Sequence, residues 1–279
     1  MEQLCDLHTH SYFSDGTLSP TQLVRMAEET GLSAVALCDH NTVLGLPEFM
    51  AAGQESPVET VPGIEFSTDY RGTELHMLAL FVQSRHYPVI TEMMEEGRRQ
   101  KEKSNQDLIH ALAKAGYVLD YNKVKEKGRG RINRAHIAAA LTEAGYTESV
   151  QDAFSRLLSP KHGYYQPPAL PNVFDMIRFI RSIGAVPVLA HPFLNLKTEE
   201  ALTEFLAQAV PAGLVGMEIM YPKFTPEQTE AARKLADQFG LLPSGGSDFH
   251  GDNKPDIRMG IGRGSLRVPA ALLEALRKK

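Results

Sequence analysis

The chain has 279 residues, of which 43% are hydrophobic and 23% charged, a balance typical of a globular protein with one large domain or a domain carrying an insertion. Its formal net charge of −5 argues against binding to duplex DNA or to a membrane surface, because both are polyanions. No apolar run approaches the roughly 20 residues of a membrane span, and we recognise no signal peptide, so we expect a cytoplasmic protein. The two cysteines, Cys5 and Cys38, agree with a reducing compartment.

Short apolar runs alternate with helical patterns, which is typical of repeated β/α units. The first apolar run, residues 3–7, is followed by a helix with clear start and stop signals. Ser19 is the expected N-cap, Pro20 the first helical residue, and Gln22 completes a capping box. The helix is predicted to end at Gly31. The next predicted strands are 33–38, 58–66 and 74–82, the last two as neighbours.

Residues 87–166 interrupt the alternation, because they are polar and mostly helical and contain no strong strand pattern. The helices predicted there are 89–116, 134–145 and 149–158. We therefore predict a helical subdomain at 87–166, inserted into a barrel domain formed by residues 1–86 and 167–279. After the insertion the predicted helices are 172–183, 198–209 and 225–240, and the predicted strands are 185–190, 214–220 and 241–244.

Nine side chains of the kinds that bind metal ions lie beside the predicted strands. They are His8, His10, Asp15, His40, Glu65, His76, His191, Asp248 and His250. Barrel enzymes carry their active sites at the C-terminal ends of the strands, where most of these residues fall. The pairs His8/His10 and Asp248/His250 are spaced two apart, so that both members point to one side of an extended segment. A single histidine at a strand end is more often structural, but nine such residues indicate a metal site.

Imidazole and carboxylate ligands together suit Mn²⁺, Zn²⁺ or Fe²⁺, and nine ligands exceed the needs of one ion. We expect two or three divalent ions per chain, Mn²⁺ first among them. Three ions would bring six positive charges against three ligand carboxylates, which favours a bound phosphate group and its transition state. The residues therefore predict a metal-dependent phosphoesterase, in which a hydroxide bridging the ions of a trinuclear centre attacks phosphorus in line.

The motifs that carry the nine ligand-type residues, taken in their order along the chain, resemble those of the PHP (polymerase and histidinol phosphatase) family. The resemblance covers nearly the whole chain. The matching segments are 6–11, 14–16, 39–42, 62–65, 74–76, 190–192 and 246–250. The resemblance implies a distorted (β/α)7 TIM-like barrel with a helical insertion. It also implies three ligand sets: His8, His10, Glu65 and Asp248; Glu65, His76 and His191; Asp15, His40 and His250. Asp39 is interpreted as a proton-handling residue or one that orients the ligands, with structural support as an equal alternative.

Within the family the chain resembles the small stand-alone 3′,5′-nucleoside bisphosphate phosphatase and 5′-3′ exoribonuclease members. Their insert carries a motif similar to Gly-Arg-Pro-His-Ile-Ala, which corresponds to residues 133–138 here, with Ala135 in place of proline. The resemblance implies a small phosphorylated substrate, either a nucleoside 3′,5′-bisphosphate that loses its 3′-phosphate or a single-stranded RNA end with a 5′-phosphate. The candidate substrate-binding residues are Arg129, Arg131, Arg134, His136, Tyr221 and Lys223. A solvated surface is the alternative for the arginines and Lys223, and core or rim packing the alternative for Tyr221.

Other functions stay open at this point. Histidinol phosphate, a tyrosine phosphate or a small cyclic sugar phosphate are alternative substrates. An amidohydrolase barrel also begins with His-x-His, but it normally needs a strand-end lysine, and Glu65 takes the corresponding bridging position here. A non-catalytic metal-binding module is the third alternative, against which the complete ligand set argues. No feature of the sequence indicates an obligate protein partner.

Overall fold

The computed structural model describes residues 3–127, 132 and 134–279. The strands in this part of the chain are β1 (Leu4–Thr9), β2 (Ala34–Leu37), β3 (Glu59–Tyr70), β4 (Thr73–Leu80), β5 (Val186–Leu189), β6 (Gly216–Met220), β7 (Leu242–Gly245) and β8 (Val268–Pro269). The α-helices described are α1 (Pro20–Thr30), α2 (Leu46–Gly53), α3 (Tyr87–Lys114), α4 (Tyr121–Lys127), α5 (Arg134–Glu143), α6 (Val150–Ala153), α7 (Val173–Ser182), α8 (Pro192–Asn195), α9 (Glu199–Ala212), α10 (Pro226–Phe239) and α11 (Ala270–Arg277). A π-helical turn, Phe154–Leu158, continues α6.

The strands form one sheet in the order β7-β6-β5-β4-β3-β2-β1-β8, which bends into a nearly closed barrel. Closure comes from the segment after β7, which pairs with the end of β1. The Asp248 N–H donates to the His8 carbonyl at 2.8 Å, and the His10 N–H donates to the Phe249 carbonyl at 2.9 Å. The short β8 pairs antiparallel with the start of β1, so the seven predicted strands form the wall. The predicted distorted barrel is confirmed.

The barrel is distorted because β3 and β4 form a hairpin. They pair antiparallel through the turn Arg71–Gly72, whose two residues have φ of 52° and 81°. β4 is also antiparallel to β5, whereas β1–β2–β3 and β5–β6–β7 are parallel. The first half of β4, which contains His76, therefore lies at the same end of the barrel as the C-terminal ends of its neighbours. The sequence predicted the adjacency of β3 and β4 but not this reversal.

Side chains that alternate along the strands fill the barrel interior. Cys5 and Leu7 of β1 and Ala34 and Ala36 of β2 are buried at two-residue intervals, as inward-facing positions of a barrel should be. Both cysteines are buried free thiols. The helices α1 and α10 each begin with a capping box, the predicted one at Ser19 and a second one at Thr225. These caps determine where each helix starts, immediately after the loop that leaves the preceding strand.

The chain divides into two compact units. One comprises Leu170–Lys279 together with the described residues up to Glu92, and it contains the barrel; the other is Met93–Ala169. The second unit has its own core, in which Leu112, Ile137 and Leu141 are fully buried. Within the described part of the chain, no helix is both long and apolar enough to span a membrane.

Candidate metal centre

The nine predicted ligand residues lie together at one end of the barrel. All six of the predicted histidines pack against at least one other, with ring centroids 4.0 Å apart for His10 and His250 and 5.7 Å apart for His8 and His191. They come from β1, from the ends of β2 and β5, from β4 and from the loop after β7. Residues as far apart in the chain as His8 and His250 thus form one cluster.

Glu65 of β3 is the centre of this cluster. Its Oε2 lies 3.1 Å from His8 Nε2 and 3.2 Å from His10 Nε2. The same oxygen lies 3.1 Å from His40 Nδ1. The other oxygen, Oε1, lies 2.9 Å from His76 Nδ1 and 3.0 Å from His191 Nε2. One buried carboxylate therefore faces five imidazoles, three on one oxygen and two on the other, as a carboxylate shared between two ions would.

Asp248 supplies a second buried carboxylate on the opposite side. Its Oδ1 lies 3.3 Å from His10 Nε2 and 3.7 Å from His8 Nε2. Its Oδ2 accepts hydrogen bonds from the Tyr221 hydroxyl at 2.8 Å and from Lys254 Nζ at 2.7 Å. Two donors thus hold one oxygen and leave the other directed at the histidines.

Asp15 stands at the outer edge of the cluster. Its Oδ1 is 3.2 Å from His250 Nε2 and 3.8 Å from His10 Nδ1, and its Oδ2 is 3.9 Å from His40 Nε2. The Asp15 side chain is 48% exposed, whereas those of His8, His10 and Glu65 are fully buried. The cluster is therefore open to solvent on the Asp15 side and closed at the opposite end.

Three groups of these residues place one ligand atom each close enough together to hold a cation. The groups are His8, His10, Glu65 and Asp248; His10, Asp15, His40 and His250; His40, Glu65 and His76. The first equals one of the sets implied by the resemblance, and the second contains another. The third differs, because it includes His40 where the resemblance implies His191. Both histidines contact Glu65, on opposite oxygens.

The buried atoms of the cluster fit bound cations better than they fit one another. His8 Nε2, both ring nitrogens of His10, His191 Nδ1 and Glu65 Oε2 are buried and lack a hydrogen-bond partner within the described residues. Such atoms are expensive to bury unless something else satisfies them. Ligand atoms bound at about 2.1 Å to one ion lie about 3.0–3.4 Å apart, which matches the spacings around Glu65 Oε2. The donor set therefore fits divalent metal ions.

Contacts on the ring nitrogens that face away from Glu65 and Asp15 orient the rings of the cluster. The Nδ1 atoms of His8 and His250 lie 3.0 Å from Glu218 Oε1 and 2.8 Å from the Asp248 carbonyl, respectively. Each ring thereby directs Nε2 into the cluster, since an acceptor on one nitrogen fixes the proton there. In His76 the roles are exchanged, because Nε2 lies 3.2 Å from Glu74 Oε1 and Nδ1 faces Glu65.

Asp39 holds the turn that carries Asp15. It is 1% exposed and accepts three hydrogen bonds, from the Ser11 N–H at 2.8 Å, the Ser11 hydroxyl at 2.6 Å and the Ser14 hydroxyl at 2.6 Å. Asp6, fully buried, ties β1 to the closing segment in the same manner, by accepting from the N–H and hydroxyl of Ser247. The search of the sequence for ligand side chains beside predicted strands did not identify Asp6, Glu218 or Lys254 as functional residues.

The electrostatics keep the two central carboxylates ionised. Burial opposes their charge, but the surrounding imidazoles, His40 foremost for Glu65 and His10 for Asp248, hold both pKa values well below their usual range. Burial likewise opposes the charge of His10, yet its contacts with Asp248 and Glu65 raise the pKa of the ring to about 9. Without cations, protons are therefore the counter-charges of the buried carboxylates.

Two of the predicted ligands have uncommon backbone conformations. His191 has φ of 28° and Asp248 φ of 56°, in the left-handed region that non-glycine residues rarely occupy. Gly246 comes close to His8: a Cβ built on it would lie 2.4 Å from the His8 Cβ. The closing segment therefore needs glycine at 246, and the strain at 191 and 248 is concentrated in the cluster, as it often is at functional sites.

The candidate substrate-binding residues lie in different places. Tyr221 is 5% exposed and donates to Asp248, so its hydroxyl is already used within the cluster. Lys223 is exposed. In the second unit, the Arg134 guanidinium stacks over the rings of Tyr165 at 4.6 Å and Phe154 at 5.7 Å, and His136 is partly buried on the same helix, α5. Arg129 and Arg131 lie outside the described residues.

Comparison with known proteins places this cluster in a family context. The PHP domain family model matches residues 6–163. The chain is 32% identical to the 5′-3′ exoribonuclease of Haemophilus influenzae over 90% of this chain and 91% of that protein. It is 30% identical to the phosphoribosyl 1,2-cyclic phosphate 1,2-diphosphodiesterase of Eggerthella lenta, over 88% and 94%. A crystal structure of a candidate metal-dependent phosphoesterase from Bifidobacterium adolescentis superposes with a TM-score of 0.78 at 31% identity, covering 98% of this chain and 95% of the other.

Proposed function

This chain belongs to the PHP family of metal-dependent phosphoesterases, and we propose that its substrate is a nucleotide that carries a 5′-phosphate and is esterified at the 3′-oxygen. Two reactions fit this description. One removes the 3′-phosphate of a nucleoside 3′,5′-bisphosphate, and the other removes the first nucleotide of a 5′-phosphorylated RNA. In both, water attacks phosphorus and the leaving group is the 3′-oxygen of a 5′-phosphorylated nucleotide.

The observation that carries the proposal is the position of Glu65, whose two oxygens face separate groups of imidazoles. A carboxylate in this position suits adjacent cations, which we assign to the nine predicted ligands, with Mn²⁺ as the expected ion. When bound, divalent ions neutralise phosphate charge and lower the pKa of water. Glu65 also occupies the place at which amidohydrolase barrels normally carry a lysine, which favours phosphoester over amide hydrolysis.

The open side of the cluster gives the substrate its direction of approach. The exposed carboxylate of Asp15 and the partly exposed rings of His40 and His76 line this side, while Glu65 lies behind them. A phosphate group entering here reaches the ligand set before the rest of the nucleotide does. The nucleoside and its second phosphate then remain outside the cluster, where residues other than metal ligands must bind them.

We assign the second phosphate to Arg134, with His136 as its neighbour on α5. The guanidinium is stacked on two aromatic rings and its Nη1 donates to the Leu158 carbonyl at 3.4 Å, and both contacts reduce the freedom of the long side chain. Planar N–H groups match phosphate oxygens in pairs. Tyr221 is better explained as the residue that orients Asp248, since its hydroxyl is buried against that carboxylate.

A cyclic sugar phosphate is the second candidate substrate. It is favoured by the Eggerthella lenta relative, whose name specifies a phosphoribosyl 1,2-cyclic phosphate and which the alignment covers over 94% of its length. The same cluster would serve both reactions, because each requires attack of water on a phosphodiester or monoester. What differs is the group that must be bound outside the cluster.

The test is a substrate series with protein reconstituted in Mn²⁺, Zn²⁺ or Fe²⁺ and its metal content measured. The series pairs adenosine 3′,5′-bisphosphate with adenosine 3′-monophosphate, and 5′-phosphorylated with 5′-hydroxyl RNA, and adds phosphoribosyl 1,2-cyclic phosphate and histidinol phosphate. We expect two or three ions per chain and the highest kcat/KM on adenosine 3′,5′-bisphosphate or on the 5′-phosphorylated RNA. Equal rates on members of each pair, or the highest kcat/KM on the cyclic phosphate, would overturn the substrate assignment; protein without bound metal would overturn the assignment of the cluster.

A further inference from the structure

Glu218 is a buried carboxylate that belongs to none of the implied ligand sets, yet it touches two of the predicted ligands. It lies in the middle of β6 and is fully buried. Its Oε1 is 3.0 Å from His8 Nδ1, and its Oε2 accepts a hydrogen bond from the backbone N–H of His191 at 2.7 Å. Both oxygens are thus used on residues that come from different strands.

We propose that Glu218 is a positioning residue for the metal centre, which keeps the His8 proton on Nδ1 and holds the backbone of His191 in its uncommon conformation. The inference rests on the proposed function, because it takes His8 and His191 as metal ligands. Glu218 itself would not bind an ion, and it would act on the metal centre only through His8 and His191. Glu218 would thereby couple a ligand of one proposed ion to a ligand of another.

The contact with Glu218 determines which nitrogen of His8 carries the proton. Oε2 of the carboxylate accepts from the His191 N–H and Oε1 is the acceptor that faces His8, so Nδ1 is the nitrogen that donates. The lone pair of the neutral ring then lies on Nε2, which is buried without a hydrogen-bond partner among the described residues and lies 3.1 Å from Glu65 Oε2. Nε2 is therefore the atom available to a cation, and Glu218 determines that it is.

The backbone conformation of His191 also depends on Glu218. Its φ of 28° and ψ of 56° lie in a region that is strained for a non-glycine residue. The conformation persists only if surrounding contacts favour it, and the 2.7 Å hydrogen bond from the His191 N–H to Glu218 Oε2 is such a contact. The turn places the ring so that Nε2 lies 3.0 Å from Glu65 Oε1.

The substitution Glu218→Gln separates these roles because an amide has one acceptor and one donor. The His191 N–H can only donate, so the amide oxygen must face it, and the NH₂ group then faces His8 Nδ1. In this arrangement Nδ1 has to accept, the proton moves to Nε2, and a protonated nitrogen cannot bind a cation. The opposite orientation would set the NH₂ group against the His191 N–H and leave buried donors unsatisfied.

Metal binding is the primary measurement. We expect Glu218→Gln to keep the circular dichroism spectrum of the wild type while its affinity for one Mn²⁺ or Zn²⁺ ion, titrated calorimetrically, falls about 10–100-fold. The second measurement is a ¹H–¹⁵N correlation of the histidine rings in zinc-loaded protein. The wild type should show a proton on His8 Nδ1, and the variant should not.

Glu48→Gln is the matched control. Glu48 on α2 also accepts hydrogen bonds from a backbone N–H and a hydroxyl, both of Thr21, and from the Tyr12 hydroxyl, and none of these is a predicted ligand. This variant should bind metal as the wild type does. Glu218→Gln with wild-type affinity would overturn the proposal, whereas a wild type that binds no metal would overturn the proposed function instead. If Glu218→Gln does not fold, a wild-type spectrum without a proton on His8 Nδ1 overturns the proposal on its own.

Discussion

Substitution of Asp39 by asparagine distinguishes a positioning role from a proton-handling role. Asp39 accepts hydrogen bonds from the Ser11 N–H and from the hydroxyls of Ser11 and Ser14, all within 2.6–2.8 Å. These three bonds hold the turn that leads from His10 to Asp15. If Asp39 acts through this turn, its loss should destabilise the fold locally and displace Asp15, and its effect on catalysis should follow from that displacement.

The contacts set the size of the effect. A hydrogen bond to a charged acceptor contributes about 1.5–3 kcal/mol, and one between neutral groups about 0.5–1.5 kcal/mol. Replacing the charged acceptor by a neutral one therefore costs about 1 kcal/mol for each bond, or about 3 kcal/mol for the three bonds of Asp39. In Asp39→Asn the amide oxygen can still accept from the Ser11 N–H, but the NH₂ group must donate to a hydroxyl that previously donated to it. We expect the free energy of unfolding in urea to fall by about 3 kcal/mol.

The assay combines urea unfolding, metal content and steady-state kinetics for Asp39→Asn, Ser14→Ala and the double variant. Ser14→Ala removes one donor to the same carboxylate, so the two substitutions should be non-additive by about 1–2 kcal/mol. Metal content should fall by the ion that Asp15 is proposed to hold. If Asp39→Asn instead keeps the wild-type stability and metal content while kcat falls sharply, the positioning argument is wrong and Asp39 handles a proton.

Three further predictions concern the metal centre and the insert. In Asp248→Asn the amide oxygen should keep the hydrogen bonds from Tyr221 and Lys254, which leaves NH₂ in place of the ligand oxygen. Turnover should fall at least about 10³-fold, while the circular dichroism spectrum of the metal-free protein stays that of the wild type. Arg134→Ala should raise KM about 10–100-fold for adenosine 3′,5′-bisphosphate but not for adenosine 3′-monophosphate, and equal effects on both would remove Arg134 from the phosphate site. Chelated protein should melt at a lower temperature than protein with added metal, and the difference should grow with the concentration of added metal, because bound ions stabilise only the folded state. A melting temperature that does not change with chelator or metal would contradict metal binding.

Sequence reasoning was most successful where a local rule and the fold agreed. Each of the seven wall strands overlaps a predicted strand, and Ser19 forms the capping box that its spacing predicts. The shorter elements α2, α4, α8, α11 and β8 were not predicted, because two to eight residues carry too little periodicity to stand out. The reversal of β4 depends on the Arg71–Gly72 turn, and such a turn is weaker in sequence than Asn-Gly or Asp-Gly.

The cluster was predictable in its ligand types but not in its supporting residues. Asp6 shares the two-residue spacing of His8 and His10, and Glu218 is a lone charge in an otherwise apolar strand, so both left a signal in the sequence. Lys254 left none, because it lies in an irregular loop whose path only the folded chain determines. How the ligands are shared is likewise a property of the fold: His10 and His40 each belong to two groups, and no spacing along the chain predicts that.

The supporting carboxylates and the ligands differ in how their polar atoms are satisfied. Asp6, Asp39 and Glu218 have hydrogen-bond donors on both oxygens, whereas His8, His10 and Glu65 hold buried atoms without a partner among the described residues. Because the supporting carboxylates are satisfied by the chain alone, they can fix the arrangement of strands before any ion binds. The unpartnered atoms of the ligands are then held at spacings that suit a cation, and this is what a preorganised metal centre requires.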